Sequence, residues 1–116
     1  MSIVRRSAPN WSVHPGEILR EEFLRPMGIS AYELAKRLRV PAPRVNDIIL
    51  ERRGISADTA VRLSRFFGTT EQFWLNLQGA HEISRVKAEH ADEIELIQPR
   101  SIKPISIKPK AAAASR

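Results

Sequence analysis

Residues 31–48 read AYELAKRLRVPAPRVNDI, and this stretch decides the fold. Counting Ala31 as the first position, apolar residues fall at Leu34, Leu38, Val40, Val45 and Ile48, with the small Ala35 in fifth place. Two helices that cross steeply over a three- or four-residue turn need this arrangement. Ala35 lets the backbones approach where the helices touch. The large apolar residues fill the wedge between them, and Val40 plugs the turn. Such a unit lays its second helix in a DNA major groove, with the first residues of that helix against base edges. The ninth position, where the turn calls for left-handed backbone, is Arg39 rather than glycine. That conformation costs a non-glycine residue about 1–2 kcal/mol, which a contact with phosphate would offset. The start of the second helix is left open between Pro41 and Pro43. Neither proline matters in a first turn, whose N–H groups are unbonded anyway, but Pro43 pushes Ala42 away from helical geometry.

Working outward, apolar clusters recur at helical spacing. Ile18, Leu19 and Phe23 mark a first helix, opened by Pro15 and ended before Pro26 and Gly28. Ser30 to Glu33 is a capping box that opens the second helix, carrying Leu34, Ala35 and Leu38. Val45, Ile48 and Ile49 mark the third, with Gly54 ending that unit. Ser56 caps a fourth helix with Ala60, Leu63, Phe66 and Phe67 inward, closed by Gly68. Thr69-Thr70-Glu71-Gln72 reads as a second capping box, opening a fifth helix with Phe73, Trp74 and Leu77 inward. Weak helical character continues through Ile83 and Val86, and Glu95-Leu96-Ile97 is compatible with a short strand. The expectation is an all-α, five-helix domain over 14–79, after an N-terminal arm (1–13). A helical extension (80–98) and a disordered basic tail (99–116), with its repeated Ser-Ile-Lys-Pro, follow.

The chain has 116 residues, a formal net charge of +6 and no cysteine. Length allows one small domain with tails. Without cysteine there is no disulfide scaffold and no cysteine-based zinc finger. No apolar run approaches the ~20 residues of a membrane span, and the first residues lack the apolar core of a secretory signal, so a cytoplasmic protein is expected. The charge is unevenly placed. Residues 1–13 carry +2 and 100–116 carry +5, whereas 14–99 sum to −1. Within that stretch 14–35 hold −2, 36–65 hold +5 and 66–99 hold −4. A folded surface for a phosphate backbone must therefore lie near 36–65, where the helix-turn-helix also lies.

On the second helix of the unit Val45, Ile48 and Ile49 point inward, leaving Arg44, Asn46 and Asp47 on or near the exposed side. Arg44 suits guanine and Asn46 adenine; Asp47 accepts from cytosine or pairs with Arg44. Arg37, Arg39, Arg52 and Arg53 are better phosphate anchors, which position without specifying sequence. Ser30, Ala42 and Pro43 complete the candidate DNA-contacting set. Against this stands a plainer reading, in which Arg44 pairs with Asp47 three residues on and Arg52-Arg53 is a solvated turn. Phe73, Trp74 and Leu77 are read as core or dimer contacts, since Phe-Trp-Leu on one helix exceeds what a small monomer easily buries. His14, His81 and His90 lack metal-ligand spacing, and His14 belongs to the lead-in turn of the first helix. Glu21 and Glu22 point to different sides of a helix, and no catalytic Ser-His-Asp spacing or phosphate-cradling glycine loop occurs. No enzyme, metal or cofactor is expected.

Residues 13–78 resemble the HigA family of antitoxins, a branch of the Cro/C1-type (Xre) helix-turn-helix proteins with a lambda-repressor-like domain. The likeness is carried in order by His14-Pro15-Gly16-Glu17, Gly28-Ile29-Ser30, Val40-Pro41, Arg44-Val45-Asn46-Asp47-Ile48, residues 53–60 (RGISADTA), Arg62-Leu63 and Phe73-Trp74-Leu75-Asn76-Leu77-Gln78. The resemblance implies a homodimer that represses its own operon at a palindrome in double-stranded DNA. It also implies a cognate toxin, a ribosome-dependent mRNA endonuclease of the HigB/RelE-like kind. Family members often carry a polar residue at the place of Pro43 and glycine at that of Arg39, which shifts base reading here onto Arg44 and Asn46. The acidic 66–99 stretch is then either a solvated face or a docking surface for a basic toxin. The tail serves either solubility or non-specific phosphate affinity. A stand-alone Xre repressor without a toxin is the first alternative. A second, that the chain is itself a basic nuclease toxin, conflicts with the all-α pattern.

Overall fold

A computed structural model describes residues 13–100. The expected arm and tail therefore lie outside the described residues, apart from Val13, Pro99 and Arg100. Among those residues the protein is all helical, with no strand. Helix α1 comprises three consecutive segments, Pro15–Ile18, a π-helical Leu19–Leu24 and Arg25–Met27. It is followed by α2 (Ala31–Leu38), α3 (Ala42–Ile49), α4 (Ala57–Phe67), α5 (Glu71–Glu89) and α6 (Ala91–Glu95).

The first helix does not stop before Pro26 as expected. It runs on to Met27 and ends at Gly28 in left-handed backbone (φ 67°). A proline inside an α-helix clashes with the carbonyl four residues back. The preceding turns are widened instead, so that the Arg25 N–H bonds to the Arg20 carbonyl five residues earlier. The helix-turn-helix is α2 and α3. Ser30 Oγ accepts from the Glu33 N–H at 3.0 Å. The Glu33 carboxylate pairs with Arg37 at 3.1 Å. Arg39 takes the left-handed conformation (φ 63°, ψ 46°) that the turn requires. Pro41 is the N-cap of α3, so the helix starts at Ala42 with Pro43 second.

Three corrections to the expected element boundaries have clear causes. Gly54 does not end α3; the left-handed residue there is Glu51 (φ 64°). Gly54 lies in close approach to Gln78, whose amide a Cβ would meet at 2.6 Å. The cap of α5 is Thr70, whose Oγ1 accepts from the Phe73 N–H. Thr69 is taken by the buried Trp74, whose indole N–H donates to Thr69 Oγ1 at 2.7 Å. At the far end, the stretch suggested as a strand belongs to the helical turn α6 and its exit. Helix α5 continues to Glu89 without a break at residues 79–80.

The core joins Leu19 and Leu24 of α1, Leu34, Ala35 and Leu38 of α2, Val45 and Ile48 of α3, Ile55, Ala60 and Leu63, and Trp74. Phe23 links the two halves, 4.8 Å from the Phe67 ring and 5.0 Å from Trp74. Leu24 and Ile55 escape the periodicity reading because one lies in the widened turn and the other in a loop.

Candidate nucleic-acid interface

Helix α3 buries Val45 and Ile48, half-buries Ile49, and leaves Pro43 and Asn46 exposed, with Arg44 and Asp47 half-buried at the edges. Shallow concavities flank it. One, of about 320 Å³, is bounded by Ala42, Pro43, Asn46, Asp47 and Arg52, with Ala31 and Tyr32 of α2 opposite. The other, of about 470 Å³, lies towards α4 between Arg44, Arg53, Ser56, Asp58 and Arg62. Pro43, Asn46, Asp47 and Arg52 thus line one flank of α3, and Arg44 and Arg53 the other.

The ion pairs there differ from the plain reading. Arg44 does not pair with Asp47. Its Nη1 donates to Asp58 Oδ2 across to α4, at 2.5 Å. Asp47 instead accepts from Arg52 Nη2 at 2.8 Å. Sequence spacing favoured the three-residue pair, but Arg44 points towards the N-terminus of α4. Asp58 also accepts from Arg62 Nε at 2.9 Å. The Arg44 and Arg62 guanidiniums hold its carboxyl below the ordinary carboxylate value. Ser30 is committed to capping α2, Arg37 to Glu33, and Ala42 packs partly against the core. Arg39 and Arg53 are exposed and have no ion-pair partner among the described residues.

Residues outside the candidate set hold α3 in place. Arg62 Nη1 donates to the Leu38 carbonyl at 2.9 Å, closing the C-terminus of α2 beside the left-handed Arg39. From α1, Arg20 donates to the Ile49 carbonyl and to Glu51 Oε2, closing the C-terminus of α3. Gly16 allows the α1 start to sit against the Ile48 carbonyl, which a Cβ would overlap. Gln78 Oε1 accepts the Ile55 N–H at 2.7 Å and steadies the loop after α3. Only Arg62, four residues after Asp58, carried a sequence signal of pairing; the other contacts join segments distant in the chain.

A helix-turn-helix family model matches residues 19–74. Antitoxin HigA of Pseudomonas aeruginosa, solved with the higBA promoter, is 51% identical, with a TM-score of 0.73 over 75% of this chain and 96% of that one. Antitoxin HigA-1 of Vibrio cholerae is 33% identical over 75% of this chain and 82% of its own length. The chain belongs to the HigA antitoxin family. Virulence-associated protein I of Dichelobacter nodosus is a further relative, 51% identical over 78% of this chain and 82% of its own length. In this HigA-family protein α2 and α3 are thus the helix-turn-helix of a DNA-binding family.

Two other features complete the picture. Trp74 is fully buried in the core, the first of the two readings given for it; Phe73 is 36% exposed and Leu77 half-buried. His14 is the N-cap of α1, its Nδ1 accepting the Gly16 N–H at 2.8 Å, as a lead-in turn residue should. Its ring lies edge-on to His81, 4.8 Å away, and burial first, then His81, lowers its pKa. No cluster of metal-ligating side chains occurs among the described residues, and no helix there is long and apolar enough to cross a membrane.

Proposed function

We propose that this protein is the antitoxin and autorepressor of a type II toxin-antitoxin module, acting as a homodimer without enzymatic activity of its own. The carrying observation is the exposed α3 face, held at its C-terminal end by Arg20 and surrounded by arginines. In this reading α3 enters the major groove, where Arg44 and Asn46 meet base edges. Arg37, Arg39, Arg52 and Arg53 take phosphates, and Ser30, Ala42, Pro43 and Asp47 line the contact. A second copy joins through the surface that includes Phe73 and Leu77, placing two recognition helices about 34–36 Å apart on a palindrome. The cognate toxin is a basic HigB/RelE-like mRNA endonuclease, and the −4 charge of residues 66–99 suits it as a partner.

The test is a gel shift on DNA upstream of the protein's own coding sequence, combined with co-purification of the product encoded beside it. Wild-type protein should retard one palindromic fragment and carry a small basic protein with it. Arg44→Ala should weaken that fragment by about 1–3 kcal/mol, roughly 5- to 150-fold, with helix content unchanged. Undiminished binding would remove Arg44 from the interface. Operator binding without a co-purifying protein would leave a stand-alone repressor.

A further inference from the structure

Arg44 is not a freely moving side chain. Its Nη1 is held by Asp58 Oδ2, and no other hydrogen bond of its guanidinium occurs among the described residues. The Nε and Nη2 donors are therefore left as a pair, and two neighbouring donors are what bidentate reading of guanine requires. Asp58 is itself anchored. It lies in the first turn of α4, where a carboxylate is favoured, and the same Oδ2 accepts from Arg62 Nε at 2.9 Å. Arg62 is in turn tied to the Leu38 carbonyl of α2 at 2.9 Å. Leu38, Arg62, Asp58 and Arg44 form a continuous chain from the first helix of the motif, through α4, to a side chain on the second.

We propose that Asp58 is a specificity-determining positioning residue, orienting Arg44 for one base while touching no DNA itself. This rests on Arg44 reading a base. Two opposing effects follow from placing an acid beside a nucleic-acid surface. The Asp58 charge repels phosphate and so weakens binding to any duplex. Its hold on Arg44 reduces the side-chain freedom lost on contact with the matching base, which strengthens only specific binding. Asp58 therefore exchanges general affinity for discrimination.

The experiment uses the full chain and two duplexes of equal length, the palindromic operator fragment and a scrambled version. Affinities are measured for wild type, Asp58→Asn, Asp58→Ala, Arg44→Ala and the Asp58→Asn/Arg44→Ala double variant. Both Asp58 variants should bind the scrambled duplex two- to threefold more tightly and lose about fivefold or more of the operator-to-scrambled ratio. In the Arg44→Ala background, Asp58→Asn should leave that ratio unchanged, because its action passes through Arg44. A merely structural role would lower binding to both duplexes in parallel, and urea unfolding of each variant checks this directly. An unchanged ratio in Asp58→Asn, or an equal loss with Arg44 absent, would overturn the proposal while leaving operator binding intact. Wild type that does not prefer the operator would instead overturn the DNA-binding reading beneath it.

Discussion

Arg39 carries two opposing demands. Its backbone is left-handed at φ 63°, a conformation that costs a side-chain-bearing residue about 1–2 kcal/mol. Its side chain is exposed and has no ion-pair partner among the described residues. Arg39→Gly should therefore raise stability by about 1 kcal/mol, less than the full strain because glycine loses more chain entropy on folding. The same variant should bind DNA more weakly and lower the slope of log affinity against log salt by about one. A urea titration and a salt series check the two halves separately. This strain was legible in the sequence, because the ninth position of a helix-turn-helix is fixed by its apolar pattern. The partner of Arg44 was not, because Asp58 lies 14 residues away and meets it only when α4 folds against α2.

At the scale of elements, glycine has opposite meanings in α1 and α5. Gly16 permits backbone contact between the start of α1 and the end of α3, and a methyl group there would overlap the Ile48 carbonyl. A carbonyl in a helix cannot move like the tip of a side chain. Gly16→Ala should destabilise the protein by about 1–3 kcal/mol, seen as a lower urea midpoint. Gly79 lies inside α5 with nothing within 4 Å of an added Cβ. Gly79→Ala should stabilise by about 0.5–1 kcal/mol. The existence of helices α1 to α5 followed from apolar spacing and end signals. The boundaries moved where a side chain had a more urgent partner: Thr69 went to the Trp74 indole, leaving Thr70 to cap α5. Likewise Pro26, expected to stop a helix, was accommodated by the widened turn of residues 19–24.

For the whole molecule, the first helix is joined to the fifth through His14 and His81, which gives stability a dependence on pH. Burial is the main cause holding the His14 imidazole below its ordinary 6.5, and the nearby His81 and the guanidiniums of Arg85 and Arg20 reinforce it while Glu51 opposes. The unfolded chain therefore takes up this proton first as pH falls. Stability from this residue is complete above about 6.5 and declines below it while the unfolded chain is protonated and the folded Nδ1, still accepting from the Gly16 N–H, is not. Asparagine caps a helix without titrating. Urea unfolding between pH 5 and 7.5 should show His14→Asn with a flatter profile than wild type, and equal slopes would show that His14 contributes none of the dependence.

Amino-acid sequence alone determined the all-α class, the helix-turn-helix, the left-handed Arg39 and the confinement of folded basic charge to 36–65. Each depends on residues close in the chain, where helical period and capping chemistry act. Tertiary structure decided which charges are held by the protein and which stay unpaired on its surface. Asp58 reaches Arg44, Arg62 reaches Leu38, and Arg20 reaches Ile49 and Glu51 across 14 to 31 residues. Such contacts exist only after the helices pack, because long charged side chains take whichever partner the folded surface brings within hydrogen-bond reach.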